Sequence, residues 1–260
     1  MENNFIEIEE NKVNIITLNR PETLNAFTVD MVSAITNTLE DWNKKKTNKA
    51  LIIRARGKAF SSGGNLNLMK EFIDKNQGVE YLESIVPLVN KLILAIHNYP
   101  GPTLAVLNGS AVGGGFNIAM ACDFRIAYFK STFRLGFTDI GLTPATSNTF
   151  FLPKIIGIPR TLALSILGTK ITANDLLSWG LVNGIYNDDT FEAIFNNWVE
   201  KLCSLDPWQV TQIRKLCYAS EHSSLEDHLK TEYDTILKAG ARPLFKERVD
   251  SRWQDINGKK

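Results

Sequence analysis

Two glycine-rich bends, each leading out of a β-type apolar run into a helical pattern, constrain this chain more than any other feature. The first is "GKAFSSGGNLNLM", Gly57 to Met69; the second is "LAVLNGSAVGGGFNIAM", with Gly113, Gly114 and Gly115 in a row. A helix start leaves its first backbone N–H groups without partners, and the helix dipole favours negative charge there. Glycine lets another molecule approach that backbone closely. Each bend therefore serves either tight strand–helix packing or the presentation of N–H groups to an anion. If the two bends lie on neighbouring strands, two N–H groups can meet at one oxygen. Such a pair is an oxyanion hole, in which loss of one donor costs roughly 3 kcal/mol of barrier. The glycine spacing is not that of a dinucleotide fingerprint, and no Gly-Lys-Ser/Thr phosphate loop occurs.

The surrounding pattern alternates strand and helix. "FIEIEENKVNIITLNRP" predicts a hairpin, Phe5–Glu9 and Val13–Leu18, turning at Asn11–Lys12. The next stretch, to about Lys46, has helical spacing, with Met31, Ile35, Leu39 and Trp42 on one face and Thr28 as N-cap. "ALIIRARG" reads as a strand, "LNLMKEFIDK" and "YLESIVPLVNKLILAIHNYP" as helices, and "TLAVLNG" as a strand. This order predicts an α/β layered core. Beyond about residue 145 the pattern is helical, with "LVNGIYN" as a late strand and three longer helices between Phe191 and Asp255. The expected division is a core over residues 1–195 and a helical region over 196–260, its boundary near residues 190–200. At 260 residues and 44% hydrophobic, the chain can bury a sizeable core.

Lys+Arg 29 against Asp+Glu 28 gives no basic stripe, so no nucleic-acid partner is expected. Cys122, Cys203 and Cys217 have no paired spacing and stand at no ligand spacing with His97, His222 or His228. They read as reduced cysteines, and no metal site is expected. No apolar run approaches the ~20 residues of a membrane span. The start is acidic, and "DINGKK" is no peroxisomal signal; a cytoplasmic location is the expectation.

Four stretches taken together, "LNRPETLNAF", "GKAFSSGGNLNLM", "LAVLNGSAVGGGFNIAMACDFRIA" and "LPKIIGIPRTLALSILGTKITANDLLSWGLV", resemble the crotonase, or enoyl-CoA hydratase/isomerase, family. The resemblance runs from about Phe5 to the final helices. It implies an α/β spiral of ββα units and a C-terminal helical region that builds homotrimers, often paired into hexamers. It also implies an acyl-CoA or acyl-carrier-protein thioester as substrate, with no cofactor beyond the coenzyme A of the substrate itself. Members hold a thioester enolate with two backbone N–H groups, which fall on Gly64 and Gly114. Leu24, Ala26, Ser62, Asn65 and Leu66 match positions lining the pantetheine and acyl groups. Lys58 matches a basic position near the CoA phosphates, although a solvated lysine on a turn reads equally well.

The departures from the family carry as much weight. Hydratases use two glutamates, and those positions here hold Asn117 and Phe137, neither of which is an acid or base near neutral pH. Both are kept as substrate-facing positions. Isomerases and dehalogenases of the family place a carboxylate where this chain has Ala145. Asp139 is the remaining candidate base, provided the segment is extended so that residues 137 and 139 share a face; otherwise it is a solvated turn residue. Glu71, Asp74, His97, Tyr81 and Tyr128 are weaker candidates, and Phe116, Phe137 and Phe150 suggest an aromatic-lined pocket. Three functions follow: double-bond isomerisation with one relocated base, decarboxylation of a malonyl-type thioester, which needs no base, or acyl-CoA binding without turnover.

Overall fold

The computed structural model describes residues 5–45 and 49–258. Residues 1–4 and 259–260 of the two expected regions, and Lys46 of the first expected helix, lie outside them. The elements fall into two compact units, one ending at Ser204 and one beginning at Leu205.

The first unit opens with the hairpin, β1 (Ile6–Glu10) and β2 (Asn14–Leu18), paired antiparallel with Ile8 opposite Ile16. Helix α1 (Val29–Lys45) follows, and Met31, Ile35, Leu39 and Trp42 are all buried on its inner face. The Thr28 hydroxyl accepts from the Met31 N–H at 3.3 Å, which starts the helix.

Three repeats of one motif come next. The strands β3 (Leu51–Ala55) and β4 (Ala59–Ser61) lead to α2 (Leu66–Asp74) and α3 (Gly78–His97). Then β5 (Thr103–Leu107) and β6 (Ser110–Val112) lead to α4 (Gly114–Met120). Finally β7 (Phe124–Tyr128) and β8 (Thr132–Arg134) lead to α5 (Asn148–Ile166). In each repeat the first strand joins a large sheet and the second a small one. With β9 (Ile171–Thr172), α6 (Ala173–Ser178), β10 (Gly184–Tyr186) and α7 (Phe191–Cys203), the orders are β1-β2-β3-β5-β7-β10 and β4-β6-β8-β9. Every pairing from β2 to β10 in the large sheet is parallel. This is a spiral of ββα units.

Parallel sheets are covered on both faces, and side chains alternate between them. Leu51, Ile53, Ala105 and Leu107 enter the larger core with α1 and α3. Ile52, Leu104, Val106 and Ile126 pack against Phe195 and Trp198 of α7. That second face places the unit boundary after Ser204, a few residues beyond the expected end of the core at residue 195, because α7 is part of the sheet's cover.

The small sheet escapes a reading by alternation. Its strands have two or three residues, less than one clear period. Strand β7 escapes it because Arg125 interrupts the apolar run. That arginine is buried and donates to the carbonyls of Leu181 and Cys122, both at 2.6 Å. It thereby ties the end of α4 to the loop before β10.

Helix α5 is by length and composition apolar enough to cross a membrane. It is broken at Gly157 (φ 74°, ψ 164°), and each half falls far short of the ~20 residues a span needs. From Phe191 to Asn257 there are four helices, not three. The second unit holds α8 (Pro207–Ala219), α9 (Leu225–Gly240) and α10 (Pro243–Asn257). The extra break arises where Asp206 and Ser224 cap α8 and α9 with their side chains and Pro207 and Pro243 occupy first-turn positions.

Candidate active site

The site is built from the two glycine bends. Asn25 sets the first of them. It lies in the left-handed region (φ 53°), is buried, and its amide donates to the carbonyls of Arg56 and Ala59 at 3.0 Å each. The Arg20 N–H in turn donates to Asn25 Oδ1 at 2.7 Å. The chain after β4 is then held by Ser62 N–H to Leu24 O (2.9 Å) and Phe27 N–H to Gly63 O (2.7 Å).

The second bend presses directly on the first. A Cβ on Gly63 (φ +75°) would stand 2.5 Å from Val112 O and 2.9 Å from the amide nitrogen of Gly114. A Cβ on Gly115 would meet Ser61 O at 2.5 Å. Real carbons do not approach so closely, so glycine is required at both positions. Two main chains pack here with no side chain between them.

Residues Gly64 and Gly114 both line one cavity of about 380 Å³. Gly64 pairs with Phe27 in a parallel bridge that uses the Gly63 carbonyl and leaves the Gly64 N–H unused. Gly114 is the first residue of α4, where an N–H has no partner inside the helix. Among the described residues no acceptor takes either N–H. Two free donors on one wall can hold an oxygen that gains negative charge.

Most of the remaining wall is apolar. Helix α2 gives Leu66 and Met69, while α3 gives Leu82, Ile85, Val86 and Val89. Periodicity identifies α3 as a helix but does not say that one of its faces walls a cavity. Tyr81 also lines it, almost fully buried at 2% exposure.

Of the residues expected from the sequence, Gly64, Gly114, Ser62, Leu66, Phe137 and Asp139 line the cavity. Asp139 gets there by a different route from the one expected. The segment is a 3-10 turn (Thr138–Ile140), not an extended strand, with Phe137 in the helical region. Both Asp139 oxygens lie 2.8 Å from Arg134 Nη2, and Arg134 also donates to the Gly168 carbonyl at 2.9 Å. The carboxylate is thus held at the cavity wall by a fixed guanidinium.

Leu24, Ala26, Lys58, Asn65 and Asn117 are not on the cavity wall. Leu24 and Ala26 flank Asn25 in the turn that supports the bend. Lys58 is exposed on the loop before β4. Asn65 spends its side chain as the N-cap of α2, accepting from Leu68 N–H at 3.2 Å. Asn117 is fully buried behind the wall and donates to Ala145 O (2.9 Å) and Thr146 Oγ1 (2.6 Å). Ala145 and Thr146 do line the cavity, and Asn117 braces them. The turn it braces is strained, since Thr146 (φ 57°) and Ser147 (φ 83°) are both left-handed without being glycine.

The weaker candidates other than Tyr81 stand elsewhere. Glu71 and Asp74 are exposed, Asp74 pairing with Lys70. His97 packs against Phe151 with the rings tilted by 55°, and the Tyr128 hydroxyl donates to Asp188 at 3.0 Å. Phe116 packs edge-on against Phe133, and Phe150 is half-exposed under Lys154. Among the described residues no group of three His, Cys, Asp or Glu side chains comes together as a metal site.

Comparison with known proteins gives the family. The family model for enoyl-CoA hydratase/isomerase matches residues 8–255. The chain is 30% identical to the trans-2-decenoyl-[acyl-carrier-protein] isomerase of Streptococcus mutans, over 92% of this chain and 91% of that one. It is 27% identical to the 1,2-epoxyphenylacetyl-CoA isomerase of Escherichia coli, over 93% and 92%. The crystal structure of an enoyl-CoA hydratase from Bacillus anthracis superposes with a TM-score of 0.87 at 25% identity, covering 96% of each chain. The chain belongs to the enoyl-CoA hydratase/isomerase, or crotonase, family.

Proposed function

We propose that this protein moves a carbon–carbon double bond along an acyl thioester. The thioester oxygen sits between the N–H groups of Gly64 and Gly114 and becomes an enolate oxygen when a proton leaves the acyl chain. Asp139 takes that proton from one carbon and returns it to another. One carrier suffices for this reaction, whereas hydration calls for an acid and a base. The observation that carries the reading is the pairing of two free N–H donors on a cavity whose wall offers a single carboxylate. One relative, by name a trans-2-decenoyl-[acyl-carrier-protein] isomerase, acts on an enoyl thioester and points the same way; a second is by name an isomerase of an epoxide-bearing CoA thioester.

The test is incubation with crotonyl-CoA, 3-hexenoyl-CoA and methylmalonyl-CoA, followed by mass and by the ultraviolet absorbance of the conjugated thioester. Isomerisation of 3-hexenoyl-CoA without mass change is the expected result. Rapid water addition to crotonyl-CoA would refute the reading. Loss of CO₂ from methylmalonyl-CoA would favour decarboxylation, which the sparsity of carboxylates also suits. The same panel on an acyl carrier protein identifies the carrier.

The proposal extends to assembly. Within the second unit, α9 exposes Leu225, Leu229, Tyr233, Ile236 and Leu237, and α10 exposes Phe245, Val249, Trp253 and Ile256. Spacings of three and four make these continuous apolar stripes, the kind of exposed surface that marks an interaction site. Further copies of this chain cover them, in a trimer or a pair of trimers.

A further inference from the structure

Among the polar side chains of the described residues that line the cavity, the Tyr81 hydroxyl is buried without a partner, whereas Ser62, Arg134, Asp139 and Thr146 each have one. Tyr81, in the first turn of α3, is 2% exposed, and its hydroxyl finds no hydrogen-bond partner among the described residues. Its ring is fixed edge-on against Phe72, with centroids 5.7 Å apart. The hydroxyl lies 3.8 Å from the point where a Cβ on Gly64 would stand, so it hangs over the first of the two donor glycines. Met69, Leu82 and Ile85 line the same cavity, and their side chains offer no acceptor stronger than the weak thioether sulfur of Met69.

A buried hydroxyl without a partner is costly, and an acceptor that arrives with the substrate offsets that cost. Resting on the enolate reading above, we propose that Tyr81 is a third donor to the thioester oxygen, completing with Gly64 and Gly114 a three-point cradle for the enolate. The phenol keeps its proton through the neutral range. Burial raises its pKa above the ordinary tyrosine value, and the nearby Asn65 backbone acts in the opposite sense without reaching hydrogen-bond geometry. It can therefore donate but cannot serve as a base. No covalent step is asked of it. The proton of the hydrogen bond stays on the phenol oxygen while charge builds on the substrate.

The test pairs Tyr81→Phe with hexanoyl-CoA carrying ¹³C at the thioester carbonyl. This acyl chain has no double bond to move, so its bound state can be read directly by isotope-edited infrared spectroscopy. In the wild type the bound carbonyl band shifts to lower frequency than in water. In Tyr81→Phe part of that shift is lost, the dissociation constant changes less than about threefold, and kcat for 3-hexenoyl-CoA falls about 10- to 100-fold with KM nearly constant. A merely structural phenol would change the melting temperature and leave the band of the bound ligand where it was. An unchanged band and kcat in Tyr81→Phe, with a normal wild-type shift, overturns the Tyr81 assignment alone. A wild-type band unshifted on binding overturns the enolate reading itself.

Discussion

Replacing Gly114 separates a hydrogen bond from a steric effect. Proline at this position deletes the N–H, and the first residue of a helix is where proline fits best. Any side chain here also brings a Cβ, and that atom would lie 2.9 Å from Phe27 Cε2 and 3.4 Å from Cδ2. Phe27 is 2% exposed and has little room to move, so overpacking costs about 1–3 kcal/mol of stability. Gly114→Ala carries that cost and keeps the N–H, so the ratio of the two variants isolates the donor. Loss of one preorganised donor is worth about 2.7–4 kcal/mol of barrier, or 10²–10³ in kcat. The expectation is therefore that Gly114→Pro turns over 3-hexenoyl-CoA at least 10²-fold more slowly than Gly114→Ala, with similar melting temperatures. Steady-state kinetics beside thermal melts gives the answer. If the two folded variants agree within about threefold, the Gly114 amide plays no part in the reaction.

Further expectations follow from other parts of the molecule. Asp139→Asn keeps an oxygen for Arg134 but cannot carry a proton, so kcat should fall about 10²- to 10⁴-fold with KM little changed; an unaffected rate would remove Asp139 as the base. Asn25→Ala leaves the buried Ala59 carbonyl and the part-buried Arg56 carbonyl without their donor and should cost about 1–3 kcal/mol, read by urea denaturation. In the second unit the Arg242 guanidinium holds the Asp206 carboxyl below the usual carboxylate range. Asp206 is thus easier to protonate when unfolded, and its contribution is complete above about pH 4 and fades as pH falls through the native value. Melts of the whole chain and of Asp206→Asn should converge as pH drops below about 4 and separate at pH 7. Finally, Leu229→Glu with Tyr233→Glu should reduce the mass seen by light scattering, while a wild type that is already monomeric would refute the assembly.

Much of the fold is legible in the chain because its helices are long and its large-sheet strands are apolar. The α1 face of Met31, Ile35, Leu39 and Trp42 reads directly as core. The small sheet does not, since strands such as Ile171–Thr172 are specified by their neighbours rather than by their own pattern. The same holds at the site. The glycines announce themselves, because nothing else tolerates main chains so close. Tyr81 does not, since a tyrosine in a helical apolar stripe looks the same whether it fills a core or faces a ligand. Asp139 reaches the cavity through a 3-10 turn that no alternation rule anticipates, and Asn117 looks like a site residue until its bonds to Ala145 and Thr146 show it bracing the wall from behind.

That asparagine also limits what the chain can become. Its amide supplies two protons to oxygens of the 145–146 turn, and a carboxylate has none to give. Glutamate at 117 would set an anion against the Ala145 carbonyl in a spot closed to solvent, facing a turn already bent the unfavourable way. On the proposed reading, exchanging residue 117 alone does not turn this chain into a water-adding enzyme. The loop would have to be rebuilt along with the acid, so the choice of chemistry is locked into the shape of the main chain.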